Sequence, residues 1–368
     1  MRHALLAMTA VLAFSCGQSG PSAAGPSPTP RASPSAAATA SPVSSPSPTT
    51  LTSSYGLLLS AGNLELINTA GGIAASASVA APSVQYCSSA HDGAILQPPV
   101  SATSDQVFFR DGDTKIRYLT PSGQTGDATT VPGGPNTVSF FAVSPDDQRI
   151  VALVEDLSGT DTITLRLYVE DLHGGGHHSD IYSTTTPKGK GGSTLWPMGW
   201  HQGQLVLAVV TACTFEPAGL SPSSWHVSDA ASANRIATIG GNCILSYWPS
   251  PAGVACVDSS KLQASTYDWS GKLTGNISTG SDDYQSGLSP SGTRIFFATG
   301  QGIGAPPPAT RVLTIGATTA MPVAGHTACL WIDDSHLLAP DAVIEYPSSV
   351  VTPLAASGVC AGRLPGGL

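Results

Sequence analysis

Phe140-Phe141-Ala142-Val143-Ser144-Pro145-Asp146-Asp147-Gln148-Arg149-Ile150-Val151-Ala152-Leu153 is two apolar β-runs folded about one tight turn. Proline presets φ at the first turn position, and aspartate or glycine accepts the awkward second one. The plan returns in Gly287-Leu288-Ser289-Pro290-Ser291-Gly292-Thr293-Arg294-Ile295-Phe296-Phe297. Looser copies start at Trp248-Pro249-Ser250, Trp331-Ile332-Asp333, Trp200-His201-Gln202 and Thr103-Ser104-Asp105. Their turns fall about 40 to 56 residues apart, the length of one four-stranded propeller blade.

Composition agrees with an all-β reading. The chain has 40 glycines and only 11% charged residues, with Val, Ile, Thr and Ser in short runs and no sustained helical periodicity. Units start near Val84, Val138, Ser193, Cys243, Tyr284 and Thr327. Two pieces remain. The segments Tyr55-Gly56-Leu57-Leu58-Leu59 and Leu64-Glu65-Leu66-Ile67, with the strand after Gly72, lack a first strand. Gly358-Val359-Cys360-Ala361-Gly362-Arg363-Leu364 is a first strand without followers. Pairing the two completes a seventh blade and removes the open sheet edges of an unclosed ring. The expectation is seven blades closed by the N- and C-terminal strands, with six as the alternative.

The Ser144-Pro145-Asp146-Asp147-Gln148-Arg149-Ile150-Val151-Ala152 run resembles the repeat of TolB-type, WD-repeat-like β-propellers. The resemblance implies that the run is the hairpin between a blade's first two strands. Such propellers serve binding proteins, scaffolds and accessory domains of enzymes, so function is not implied.

The N-terminal part is of a different kind. Residues 1–15 carry Arg2 and an apolar stretch too short to span a bilayer, and then comes Cys16. This resembles a bacterial lipoprotein signal, which implies lipidation of Cys16. An ordinary cleaved signal or an uncleaved apolar anchor are the other readings of the same run. Residues 16–54 repeat Ser-Pro and Pro-Thr with almost no large apolar side chains, and they read as a disordered, polyproline-biased tether. The propeller domain then runs over 55–368. These features place the domain outside the cytoplasmic membrane, on the cell surface or the periplasmic face, with the membrane as a partner through the lipid anchor.

Net charge is −9, which argues against nucleic acid as a partner. Setting Cys16 aside leaves Cys87, Cys213, Cys243, Cys256, Cys329 and Cys360, an even set that suggests disulfides in an oxidising compartment. The expected pairs are Cys213 with Cys243, and Cys360 with Cys329 or Cys87.

The chemistry-bearing motifs are few. His173, His177 and His178 flank a glycine run in a loop between outer strands, which is a poor frame for a metal. No Cys-x-x-Cys, nucleophile elbow, calcium loop or phosphate cradle occurs, so no catalytic residue, metal or cofactor is assigned. Asp111 with Asp113, Asp146 with Asp147, Asp282 with Asp283 and Asp333 with Asp334 fall at turns, where aspartate caps its own backbone. Trp200, Trp248 and Trp331 hold equivalent repeat positions, which points to packing of blade on blade. The reading is a lipid-anchored binding or scaffold propeller of the bacterial envelope, its partner a protein, peptide or glycan. The alternative is an envelope hydrolase with its site at the channel mouth.

Overall fold

The computed structural model describes residues 51–83, 99–174, 176–188, 192–212, 222–241, 243–280, 283, 285–299 and 307–368. They form seven antiparallel sheets of four strands each, arranged as a ring of blades. The inner strands are Val359–Leu364 in blade 1, Val100–Ala102 in blade 2, Thr137–Val143 in blade 3 and Ser193–His201 in blade 4. Ile244–Leu245, Gln285–Leu288 and Leu330–Trp331 take that place in blades 5, 6 and 7. Six blades follow chain order. Blade 1 does not: the C-terminal strand Val359–Leu364 lies beside Tyr55–Ser60, and the third and outer strands are Asn63–Asn68 and Ile73–Ser78. The ring is closed by its own ends, as expected, which leaves blade 1 with no unpaired inner edge.

One expected boundary is corrected. Blade 2 was placed to begin near Val84, which lies outside the described residues, but its inner strand is Val100–Ala102. The strand is fixed by the turn that follows it, where Thr103 N donates to Gln106 O at 2.9 Å.

The repeated hairpin is built alike in blades 3 and 6. Asp147 N donates to Ser144 O and Gly292 N to Ser289 O, each at 2.9 Å. The left-handed residue is the fourth of the turn rather than the third: Asp147 has φ 57° and Gly292 φ 72°. A proline-started turn followed by one left-handed residue brings the next strand back in register. The serine closes the motif, since Ser144 Oγ accepts from Arg149 N at 2.9 Å and Ser289 Oγ from Arg294 N at 3.1 Å.

Blades hold to one another through buried rings and through stitches between these hairpins. Phe140 of blade 3 stacks on Trp196 of blade 4 at 4.5 Å, and Trp331 Nε1 donates to Gly287 O of blade 6 at 2.8 Å. The Arg149 guanidinium of blade 3 lies 4.6 Å over the Trp200 ring of blade 4. Ser104 Oγ donates to Pro145 O at 3.0 Å, Gln106 Nε2 to Asp147 Oδ2 at 2.6 Å, and Ser250 Oγ to Ser289 O at 2.8 Å. Ser291 N donates to Asp334 Oδ1 at 3.0 Å. Two acidic turn residues, Asp147 and Asp334, therefore bind the neighbouring blade.

Two disulfides are described. Cys329–Cys360 joins the start of blade 7 to the ring-closing strand, with Cα atoms 6.4 Å apart. It is one of the two pairings expected for Cys360. The expected Cys213–Cys243 bridge is corrected: Cys243 is bonded to Cys256, Cα to Cα 5.5 Å. Cys256 pairs with Leu245 in the blade 5 ladder, which sets it beside the residues just before that inner strand. Cys87 and Cys213 lie outside the described residues.

Candidate binding site in the axial channel

The inner strands converge on an axial channel to which all seven blades contribute. Proline, glycine and aromatic side chains dominate its wall: Phe140, Trp196, Trp200, Tyr247, Trp248 and Trp331. The remaining cavity is about 120 Å³. Two features fill the rest. Trp248 reaches from blade 5 across the axis to pack beside Leu330 and Cys360 of the opposite blades, and a Cβ on Gly362 would stand 3.8 Å from its ring. Residues 365–368 then cross one mouth, with Gly366 N donating to Thr103 O at 2.6 Å and Leu368 N to Trp200 O at 3.2 Å. Gly199 makes the seat for this crossing, because a Cβ there would come within 2.9 Å of Leu368 Cδ1.

Among the described residues the lining holds one charged side chain, Arg363. Burial lowers its pKa to about 10, opposed by the charges of Asp334 and Asp333, so it remains a cation at neutral pH. Two buried ionisable side chains sit between blades. Arg110 of blade 2 donates from Nη1 to Ser139 O of blade 3 at 2.8 Å, and burial lowers its pKa to about 10. Glu155 of blade 3 is fully buried and accepts from Thr194 Oγ1 of blade 4 at 2.9 Å, while its Oε2 has no partner. Desolvation pushes the Glu155 carboxyl up to about 7. Asp283 and Arg311 form a partly buried ion pair within blade 6.

The residues singled out in the sequence fall elsewhere. His177 Nδ1 is 2.8 Å from Asp171 Oδ2, and His178 Nδ1 is 2.9 Å from Glu170 Oε2, each imidazole pairing separately on the exposed blade 3 hairpin. His173 is exposed near them. Among the described residues no three His, Cys, Asp or Glu side chains gather where a metal could be held. Asp146 and Asp333 accept backbone N–H groups of their own turns, whereas Asp111 and Asp113 accept from Ala80 N and Ser83 N, in the segment that leaves blade 1. Asp282 lies outside the described residues. Trp200 and Trp331 are at most 3% exposed and pack onto the preceding blade. Trp248 departs from that equivalence, half-buried across the channel.

Arg363, Arg110 and Glu155 were not foreseen. A signal for two of them exists: Arg110 follows Val107-Phe108-Phe109 and Glu155 follows Ile150-Val151-Ala152-Leu153-Val154, charges at the end of fully apolar strands. Such a position is buried, and the charge must find a partner or shift its pKa.

No protein-family model matches the sequence, and no curated protein matches it. Among solved structures it is similar to oligogalacturonate lyase from Vibrio parahaemolyticus, at 12% identity over 77% of this chain and 79% of that one, TM-score 0.46. A 6-phosphogluconolactonase-like protein from Bacteroides fragilis is similar at 13% identity over 86% and 99%, TM-score 0.46. A TolB-like protein from Agrobacterium tumefaciens is similar at 11% identity over 62% and 81%, TM-score 0.37. The chain is a seven-bladed β-propeller. These likenesses concern shape alone, and the blade count rests on the sheet topology of this chain.

Proposed function

We propose that this propeller is a lipid-anchored binding or scaffold protein outside the cytoplasmic membrane of a bacterium, its partner a protein, peptide or glycan of the cell envelope. The observation that carries the reading is the channel wall: aromatic and glycine residues from all seven blades, with Arg363 as the charged group. Propeller chemistry is built where titratable side chains from several blades converge on the axis, and here that place is taken by packed rings. The two disulfides agree with an oxidising compartment. The run before Cys16 and the Ser/Pro/Ala tether after it supply the anchor and the reach.

The test is expression of the full chain in a bacterium fed an alkyne fatty acid, followed by fractionation and cross-linking capture. The expected result is fatty-acid label and membrane association for the native sequence, both lost in Cys16→Ser, with an envelope partner captured by the native protein. Label that persists in Cys16→Ser overturns the anchor. Turnover of an envelope glycan or peptide by the purified protein overturns the binding reading.

A further inference from the structure

Arg363 has five N–H donors, and among the described residues it makes no hydrogen bond or ion pair. The carboxylates that act on it through space are Asp334 and Asp333, both on the inner hairpin of blade 7. Each already accepts hydrogen bonds elsewhere. Asp333 Oδ1 accepts from Ser335 N at 2.7 Å and His336 N at 2.8 Å, and its two oxygens lie 2.9 and 3.0 Å from His336 Nδ1. Asp334 Oδ1 accepts from Ser291 N at 3.0 Å. Arg363 is half-buried in the channel wall, and a guanidinium that meets no protein acceptor there is free to take a charge-assisted pair from an anion entering the channel. The fork of a guanidinium matches a carboxylate in two parallel hydrogen bonds.

Around this cation the wall is apolar, and the cavity of about 120 Å³ is somewhat smaller than the roughly 150 Å³ that accepts benzene in an apolar core. The space suits a stem of a few carbons. We propose that the axial channel binds a short-chain monocarboxylate, its carboxylate on Arg363 and its stem against Trp248 and the neighbouring rings. This rests on the reading of the protein as a binding protein and names a ligand class for its channel.

The test is isothermal titration of the purified full chain with sodium butyrate, with n-butylammonium chloride at equal ionic strength as the control. Butyrate is expected to bind with a Kd on the order of 1 mM, as its few atoms allow, and butylammonium to bind at least about tenfold more weakly, as the missing charge-assisted pair predicts. Arg363→Gln is expected to lose butyrate binding by a similar factor. No heat from butyrate, equal binding of butylammonium, or unchanged butyrate binding by a folded Arg363→Gln overturns the proposal. Should Arg363→Gln fail to fold, the comparison of butyrate with butylammonium on the native protein decides. Capture of an envelope partner with no butyrate binding overturns this inference alone and leaves the binding reading standing.

Discussion

Deletion of residues 359–368 abolishes cooperative unfolding, read as loss of the sigmoidal thermal transition in circular dichroism. Without the strand Val359–Leu364, the Tyr55–Ser60 strand becomes an open edge facing the axis. Leu57 and Leu58, now at 0% exposure, lose their cover, and Leu364 at 0% is removed with Cys360 and Ala361. Each fully buried leucine contributes about 1.5–3 kcal/mol. Loss of the Cys329–Cys360 bridge, which closes a 31-residue loop, costs about 3–4 kcal/mol more on the chain-entropy account. Together these approach the whole stability of an ordinary domain, about 5–15 kcal/mol. A deletion variant that still melts in one sharp transition near the native temperature would show that the ring does not depend on this strand.

Glu155→Gln stabilises the protein above neutral pH and leaves it nearly unchanged at pH 5. In the folded state the Glu155 carboxyl is pushed up to about 7 by burial, from 4.5 in the open chain. Between those values the folded protein holds a proton that the unfolded chain has released. Native stability therefore falls as pH rises from about 4.5 through about 7, and is level above that. Such a shift corresponds to up to about 3 kcal/mol at pH 8. Glutamine keeps a carbonyl oxygen for Thr194 Oγ1 and cannot ionise, so the variant lacks this decline. Carboxylates whose pKa is depressed, such as Asp113, Asp156 and Asp258, lose stability at lower pH in both proteins and cancel in the difference. Urea unfolding of both proteins at pH 5 and pH 8 measures it. A difference that is the same at both pH values means that Glu155 is ionised throughout.

Much of the propeller was legible because its hairpin is a local device. Ser144-Pro145-Asp146-Asp147 and Ser289-Pro290-Ser291-Gly292 each carry their turn chemistry within four residues, and the blade starts expected at Ser193 and near Tyr284 meet strands that begin at Ser193 and Gln285. Closure was legible too, since Gly358-Val359-Cys360 had no followers and Tyr55-Gly56-Leu57 no predecessor. The failures came where distance in the chain stopped being a guide. Cys243 pairs with Cys256 across one blade, because a hairpin returns there within 13 residues, while the expectation reached to the previous blade. Arg363 became a site residue only when six other blades were wrapped around it, and nothing in Gly362-Arg363-Leu364 announces that. Trp248 looked like Trp200 and Trp331 in the repeat, yet the axis rather than the preceding blade receives it.

Central to the account is a ring closed by the strand that carries Cys360 and, two and three residues on, the glycine and arginine of the channel. Peptide mapping of the unreduced protein by mass spectrometry tests this most directly. The account predicts a linked pair of peptides joining Cys329 to Cys360, and a second joining Cys243 to Cys256. Cys360 found free, or bridged to any cysteine other than Cys329, would place the C-terminal strand elsewhere and contradict both the closed ring and the site built on it.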